Sequence, residues 1–186
     1  MLVRKQIHKL LSSYYNQPHN TVVGSTSYQS NEINPINFRS VLGEWHWRRI
    51  YQGLYRNQAG QWLTPVELFR PYYSRIIANF IAMEMKKFSS NNEYEIVELG
   101  GGRGTNCRCI LDHLQNQHPG IYEKVKSYTI MDSSPTLLKL MRSVLIDKFS
   151  LDCVVEKNEL NGSHRHRDKV VLKEVDMMDV AERSVY

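Results

Sequence analysis

At 186 residues, 41% hydrophobic and 23% charged, the chain is long enough for one domain with a buried core. It has no apolar run of the ~18 residues that a membrane span requires. Its three cysteines, Cys107, Cys109 and Cys153, include no CxxC pair, which argues against a zinc site or redox dithiol and fits a reducing compartment.

The formal net charge of +5 lies in the first third: residues 1–60 carry seven Lys/Arg against Glu32 and Glu44, while residues 61–186 carry seventeen of each sign. A basic end suits nucleic acid, an acidic membrane surface or an import signal. Residues 2–15 read as an amphipathic helix with Val3, Ile7, Leu10, Leu11 and Tyr14 on one face. No acid precedes Glu32 and hydroxyls are plentiful, as in a mitochondrial presequence, yet Arg4 is the one arginine before Arg39, which favours a folded helix. Residues 16–37, with Pro18 and Pro35, read as a loop or extended arm. Trp45-His46-Trp47-Arg48-Arg49 interleaves aromatics with bases, but no such alternation recurs. The spacing favours a helical stripe of Val41, Leu42, Trp45, Ile50 and Leu54 with both arginines in solvent.

Thr64-Pro65-Val66-Glu67 has the form of a helix start: Thr64 as cap, Pro65 in the first helical position, and Glu67 completing a capping box. After the break at Pro71, a helix from about Tyr72 to Lys87 is expected to bury Ile76, Ile77, Phe80 and Ile81, with Met83 or Met85. A strand then runs from Tyr94 to Leu99, followed by Gly100-Gly101-Gly102-Arg103-Gly104-Thr105 and a helix with Cys107, Ile110, Leu111 and Leu114 on one face. His118-Pro119-Gly120 stops it. Ser127 to Met131 reads as a second strand ending at Asp132, and Ser133-Ser134-Pro135 opens a helix with Leu137, Leu140, Met141, Val144 and Leu145 buried. Cys153-Val154-Val155 is a short strand candidate. His164-Arg165-His166-Arg167 reads as solvated loop rather than metal ligands, and Lys169 to Val175 as a third strand ending at Asp176.

Strand, glycine turn, helix, strand, acid, helix, strand, acid implies a parallel sheet whose ligand lies beyond the carboxyl ends of its strands. A dinucleotide fingerprint needs glycine where Thr105 stands, which disfavours a nucleotide-binding oxidoreductase, and a P-loop needs G-K-[ST]. The pattern present, Glu98-x-Gly100-x-Gly102-x-Gly104, resembles Rossmann-like methyltransferases that bind S-adenosylmethionine. In that reading Gly100, Gly102 and Gly104 admit the methionine tail and ribose, and Glu98 holds the cationic amino group or a structural amide. Asp132 takes the ribose hydroxyls or caps the helix after it. Asp176 takes the adenine amino group, near the Met177 amide, with Glu174 and Asp179 as rivals.

Trp62-Leu63-Thr64-Pro65-Val66-Glu67-Leu68-Phe69-Arg70-Pro71-Tyr72-Tyr73, followed by Glu98 to Thr105, resembles the MidA-like methyltransferase family, as does Tyr128-Thr129-Ile130-Met131-Asp132-Ser133-Ser134-Pro135. That family includes the mitochondrial protein-arginine methyltransferase that assists respiratory complex I assembly. Residues 20–60 fit that branch poorly and look closer to a divergent one. The resemblance implies an α/β, Rossmann-like class I methyltransferase fold, limited to the first three core strands and preceded by a mostly helical segment. Residues 1–90 form that segment, and residues 91–186 the N-terminal half of an S-adenosyl-L-methionine-binding domain. It further implies S-adenosyl-L-methionine as cofactor, a protein substrate such as a complex I subunit, and a mitochondrial location, with the cytoplasm as alternative. No metal, nucleic acid or transmembrane segment is expected. Family members continue past the third strand to an E-V-x-D-N-type segment, so the chain reads as a fragment, truncated product or degenerate copy. No catalytic residue is assigned; Glu67, near the active face, reads as a cap. The rival function is a non-catalytic assembly or interaction protein on the same fold.

Overall fold

The computed structural model describes residues 3–16, 23–24, 36–56, 61–88, 92–146 and 169–175. Helix α1 (Val3–Tyr15) is followed by a short 3-10 turn (Phe38–Ser40), α2 (Glu44–Arg56), α3 (Pro65–Leu68) and α4 (Tyr72–Met85). Then come β1 (Tyr94–Leu99), α5 (Thr105–Gln117), α6 (Pro119–Lys124), β2 (Val125–Asp132), α7 (Pro135–Ile146) and β3 (Val170–Glu174). The strand candidate at Cys153, the His164 and His166 loop and Asp176 lie outside the described residues.

The three strands are parallel in the order β1-β2-β3, with Ile96 opposite Tyr128 and Tyr128 opposite Val170. Parallel neighbours need a crossover, and α5 with α6 supplies the one between β1 and β2. This three-stranded parallel sheet with flanking helices and a helical N-terminal part is consistent with the first three core strands of a Rossmann-like methyltransferase fold. Strand periodicity assigns the two faces. Tyr128, Ile130 and Val170 are buried with Cys107, Ile110, Leu111 and Leu114 of α5 and Leu137, Met141 and Leu145 of α7. On the opposite face of β1, Val97 and Leu99 are 53% and 61% exposed, and among the described residues β1 pairs with β2 alone.

The helical segment shares this core. Ala78, Ala82 and Met85 of α4 and Val23 belong to the same buried cluster, so the core spans both sides of residue 90. The expected face of α4 is corrected: Ile76, Phe80 and Met83 are exposed, while Ser74, Ala78, Ala82 and Met85 are buried and Ile77 and Ile81 pack at the margin. Small residues at successive turns bring α4 close to α5, which large side chains would prevent.

The α2 stripe is also corrected. The helix begins after Leu42, Leu42 and Trp45 are exposed, and no α2 residue is fully buried. Trp47 packs instead in an aromatic cluster with Phe38 and Phe69, whose rings stack at 5.6 Å. Helix α1 forms as its periodicity predicts, yet Val3, Ile7, Leu10, Leu11 and Tyr14 are all exposed. The stop at His118 ends α5, but Pro119 then starts α6, a proline at the first position being compatible with a helix, and β2 begins at Val125.

Candidate functional site

The candidate site lies at the carboxyl ends of β1 and β2. Leu99 pairs with Met131 and the Gly100 amide donates to the Met131 carbonyl at 2.8 Å, so the glycine turn leaves the sheet beside Asp132. Gly100, Gly102 and Gly104 all have positive φ (74°, 59° and 79°), a conformation in which other residues are strained. The four glycines then divide by what a Cβ would meet. At Gly100 and Gly102 nothing lies within 4 Å, so bare backbone faces open space. At Gly101 a Cβ would sit 2.4 Å from Ile130 Cγ2, and at Gly104 3.3 Å from Leu145. Two glycines therefore open the turn outward, and two let it pack onto β2 and α7. Gly101 was legible only as one more glycine, because its need depends on a contact made by the strand 29 residues later.

Glu98 is the penultimate residue of β1 and is half-buried. Its Oε1 accepts Asn106 Nδ2 at 2.8 Å and its Oε2 accepts the Tyr128 hydroxyl at 3.0 Å. Asn106 in turn accepts Ser74 Oγ at 2.8 Å, so the network runs from α4 through the first turn of α5 to both strands. Of the two partners expected for Glu98, the structure places a structural amide, that of Asn106, against it. Burial raises the Glu98 carboxyl above its ordinary range, partly offset by the bonds from Asn106 and Tyr128. Burial, and then the Glu98 charge, push the Tyr128 phenol far up.

Asp132 is buried, and its Oδ1 accepts the Ser134 amide at 2.9 Å. Burial raises its carboxyl, while the Ser134 and Ser133 amides lower it. Ser134 caps α7: its Oγ accepts the Leu137 amide at 3.2 Å. Asp132 instead braces the turn before the cap through Oδ1. Glu174 stands opposite Asp132 in the register, and Val175 donates to the Asp132 carbonyl. The structure thus brings Glu98, Gly100, Gly102, Gly104 and Asp132 to one end of the sheet.

The N-terminal segment meets the same end. Ser134 Oγ donates to the Tyr15 carbonyl or Asn16 Oδ1, at 3.1 and 2.7 Å, and Arg103 Nη1 donates to the Val23 carbonyl at 3.0 Å. Glu67, expected to complete a capping box, does half of it. Its amide donates to Thr64 Oγ1 at 3.4 Å, but its side chain turns away and accepts the Thr105 hydroxyl at 2.5 Å. No local spacing signals a bond between residues 38 apart, so sequence reasoning missed it.

A family model described as "Putative S-adenosyl-L-methionine-dependent methyltransferase" matches residues 76–176, more than half the chain, from α4 through the glycine turn and β2 to just past β3. No curated protein and no solved structure matches the chain significantly. The residues fit that cofactor. A turn whose Gly100 and Gly102 present unobstructed backbone, beside a buried carboxylate at the end of the next strand, suits a ligand with a slender tail and a vicinal diol.

Proposed function

The chain belongs to this family of S-adenosyl-L-methionine-dependent methyltransferases, and from that premise we propose that it methylates a protein arginine, with a respiratory complex I subunit as substrate and the mitochondrion as its compartment. When bound, S-adenosyl-L-methionine supplies an electrophilic methyl group on a sulfonium. The chain's own residues bind and orient. Gly100 and Gly102 leave backbone open to the methionine tail, Asp132 accepts from the ribose hydroxyls through its second oxygen, and Glu98 keeps the first turn of α5 in place. Asp176, which follows the third strand in the sequence and lies outside the described residues, is the candidate for the adenine amino group. The observation that carries this reading is the paired opening at Gly100 and Gly102 next to Asp132. Arginine as acceptor, complex I and the mitochondrion are supported by the motif resemblance around Thr64-Pro65-Val66-Glu67.

A non-catalytic assembly role is favoured by one observation: Glu67 is 2% exposed and engaged by Thr105 and Arg70, so its carboxylate does not face an acceptor. Incubation of the chain with methyl-labelled S-adenosyl-L-methionine and arginine peptides, beside peptides with lysine in place of arginine, separates these readings. Label on the guanidinium nitrogen alone supports arginine transfer. Label on lysine overturns the acceptor, and cofactor binding without any transfer supports the assembly role.

A further inference from the structure

We propose that Glu67 is a positioning residue for the glycine turn, fixing from the N-terminal helical segment the backbone on which the cofactor lies; this rests on the reading of Gly100 to Gly104 as the cofactor turn. Glu67 sits in α3 and is among the largest fully buried side chains of the protein. A helix start needs only the Thr64 hydroxyl, and a capping box would return the Glu67 carboxylate to the Thr64 amide. The carboxylate goes instead to Thr105, the first residue of α5 and the one that follows Gly104. Gly104 is the N-cap residue of that helix and has no side chain with which to hold its free amides.

The need for an external grip follows from composition. Gly100, Gly101, Gly102 and Gly104 are four glycines in five residues, the stretch with the greatest conformational freedom in the chain, and it carries no apolar side chain to anchor itself. Its exit is held at two adjacent residues: Asn106 through Glu98, and Thr105 through Glu67. A polar anchor at such a spot holds one geometry, whereas an apolar contact tolerates sliding.

The cluster around Glu67 carries charge into the turn as well. Glu67 Oε2 lies 3.5 Å from Arg70 Nη1, too far for a hydrogen bond, and both side chains are almost fully buried. Arg103, inside the turn, also lies within reach of the Glu67 charge, and its guanidinium in turn holds the Val23 carbonyl. A buried carboxylate beside a buried arginine is a poor way to gain stability alone, because desolvation offsets the attraction. It is an effective way to fix a glycine-rich backbone relative to a helix.

The test uses the full chain with Thr105→Val, which keeps the shape and removes the hydroxyl, Thr105→Ser, which restores it, and the double variant Glu67→Gln/Thr105→Val. Two quantities are read: amide hydrogen exchange at residues 100–106, and S-adenosyl-L-methionine affinity by calorimetry. Thr105→Val is expected to speed exchange in the turn by about tenfold while β2 amides keep wild-type rates, and to weaken the cofactor by about tenfold. Thr105→Ser should return both to within about threefold of wild type, and the double variant should be little worse than Thr105→Val alone. Wild-type exchange and affinity in Thr105→Val overturn the proposal, as does faster exchange spread evenly over the sheet, the mark of global destabilisation. If the wild-type chain binds no cofactor, the site reading fails by itself, and exchange in the turn decides the role of Glu67.

Discussion

Gly101→Ala adds one methyl group in the middle of the turn, and the structure places it 2.4 Å from Ile130 Cγ2 and 3.5 Å from both Ile130 Cδ1 and Met141 Cε. Carbon atoms rest at ~3.5–4.0 Å, so the nearest contact is short by about 1 Å. Ile130 lies on the central strand and Met141 on α7, both fully buried, and neither can swing into solvent. Gly101 does not have a positive φ, so crowding alone sets the cost. Such overpacking costs about 1–3 kcal/mol, and in a chain of this size ~1 kcal/mol lowers Tm by about 2–4 °C. Urea denaturation gives the value as a shift in midpoint at constant slope. Ile130→Leu removes Cγ2 by moving the branch one carbon outward and should relieve the clash, leaving the double variant more stable than the sum of the single changes by ~1 kcal/mol or more. Gly100→Ala is the contrast. Its methyl meets nothing within 4 Å, but φ is +74°, so about 1–2 kcal/mol of conformational cost appears that Ile130→Leu does not relieve. Wild-type stability of Gly101→Ala, or strict additivity with Ile130→Leu, would refute the packing assignment.

Burial holds the folded Glu98 carboxyl above its ordinary 4.5. Stability from that difference is full below the unfolded pKa and lost as the pH rises through the folded one, so Glu98→Gln, neutral throughout, should gain on wild type from acid to neutral pH; chemical denaturation across that range checks it, and a gain in the reverse direction contradicts it. Tyr128→Phe leaves Glu98 Oε2 without its hydroxyl donor and should cost about 1–3 kcal/mol by denaturation at neutral pH, less in acid, where the carboxyl is protonated. Ser134→Ala removes the α7 cap, worth ~1 kcal/mol, and with it the bond to the end of α1. Limited proteolysis should then release the N-terminal helix sooner, and an unchanged cleavage rate would show that Ser134 does not tether it.

Elements with a local signal were legible in the sequence. The three strands, the capped start at Thr64, the turn at Gly100 and the cap before Pro135 each rest on residues a few positions apart. Faces were less legible. Helix α4 carries Ile76 and Phe80 outward because closeness to α5 selects small residues for the contact, and hydrophobicity alone does not encode closeness. The outward face of α1 follows the same lesson: amphipathicity gives a helix without saying what covers it. Within the site, Gly100, Gly102 and Asp132 could be picked out by spacing, whereas Gly101, Asn106 and Glu67 matter through contacts with Ile130, Glu98 and Thr105 that no local pattern announces. Asp176, placed by the sequence after the third strand, lies outside the described residues.

Calorimetric titration of the chain with S-adenosyl-L-methionine, in parallel with Gly102→Val and Asp132→Ala, tests the assignment of the cofactor to the ends of β1 and β2. The predicted result is saturable binding by the wild type and loss of more than about tenfold in affinity in each variant, since one fills the open space beside the turn and the other removes the ribose acceptor. Binding unchanged in both folded variants, or none by the folded wild type, would contradict it.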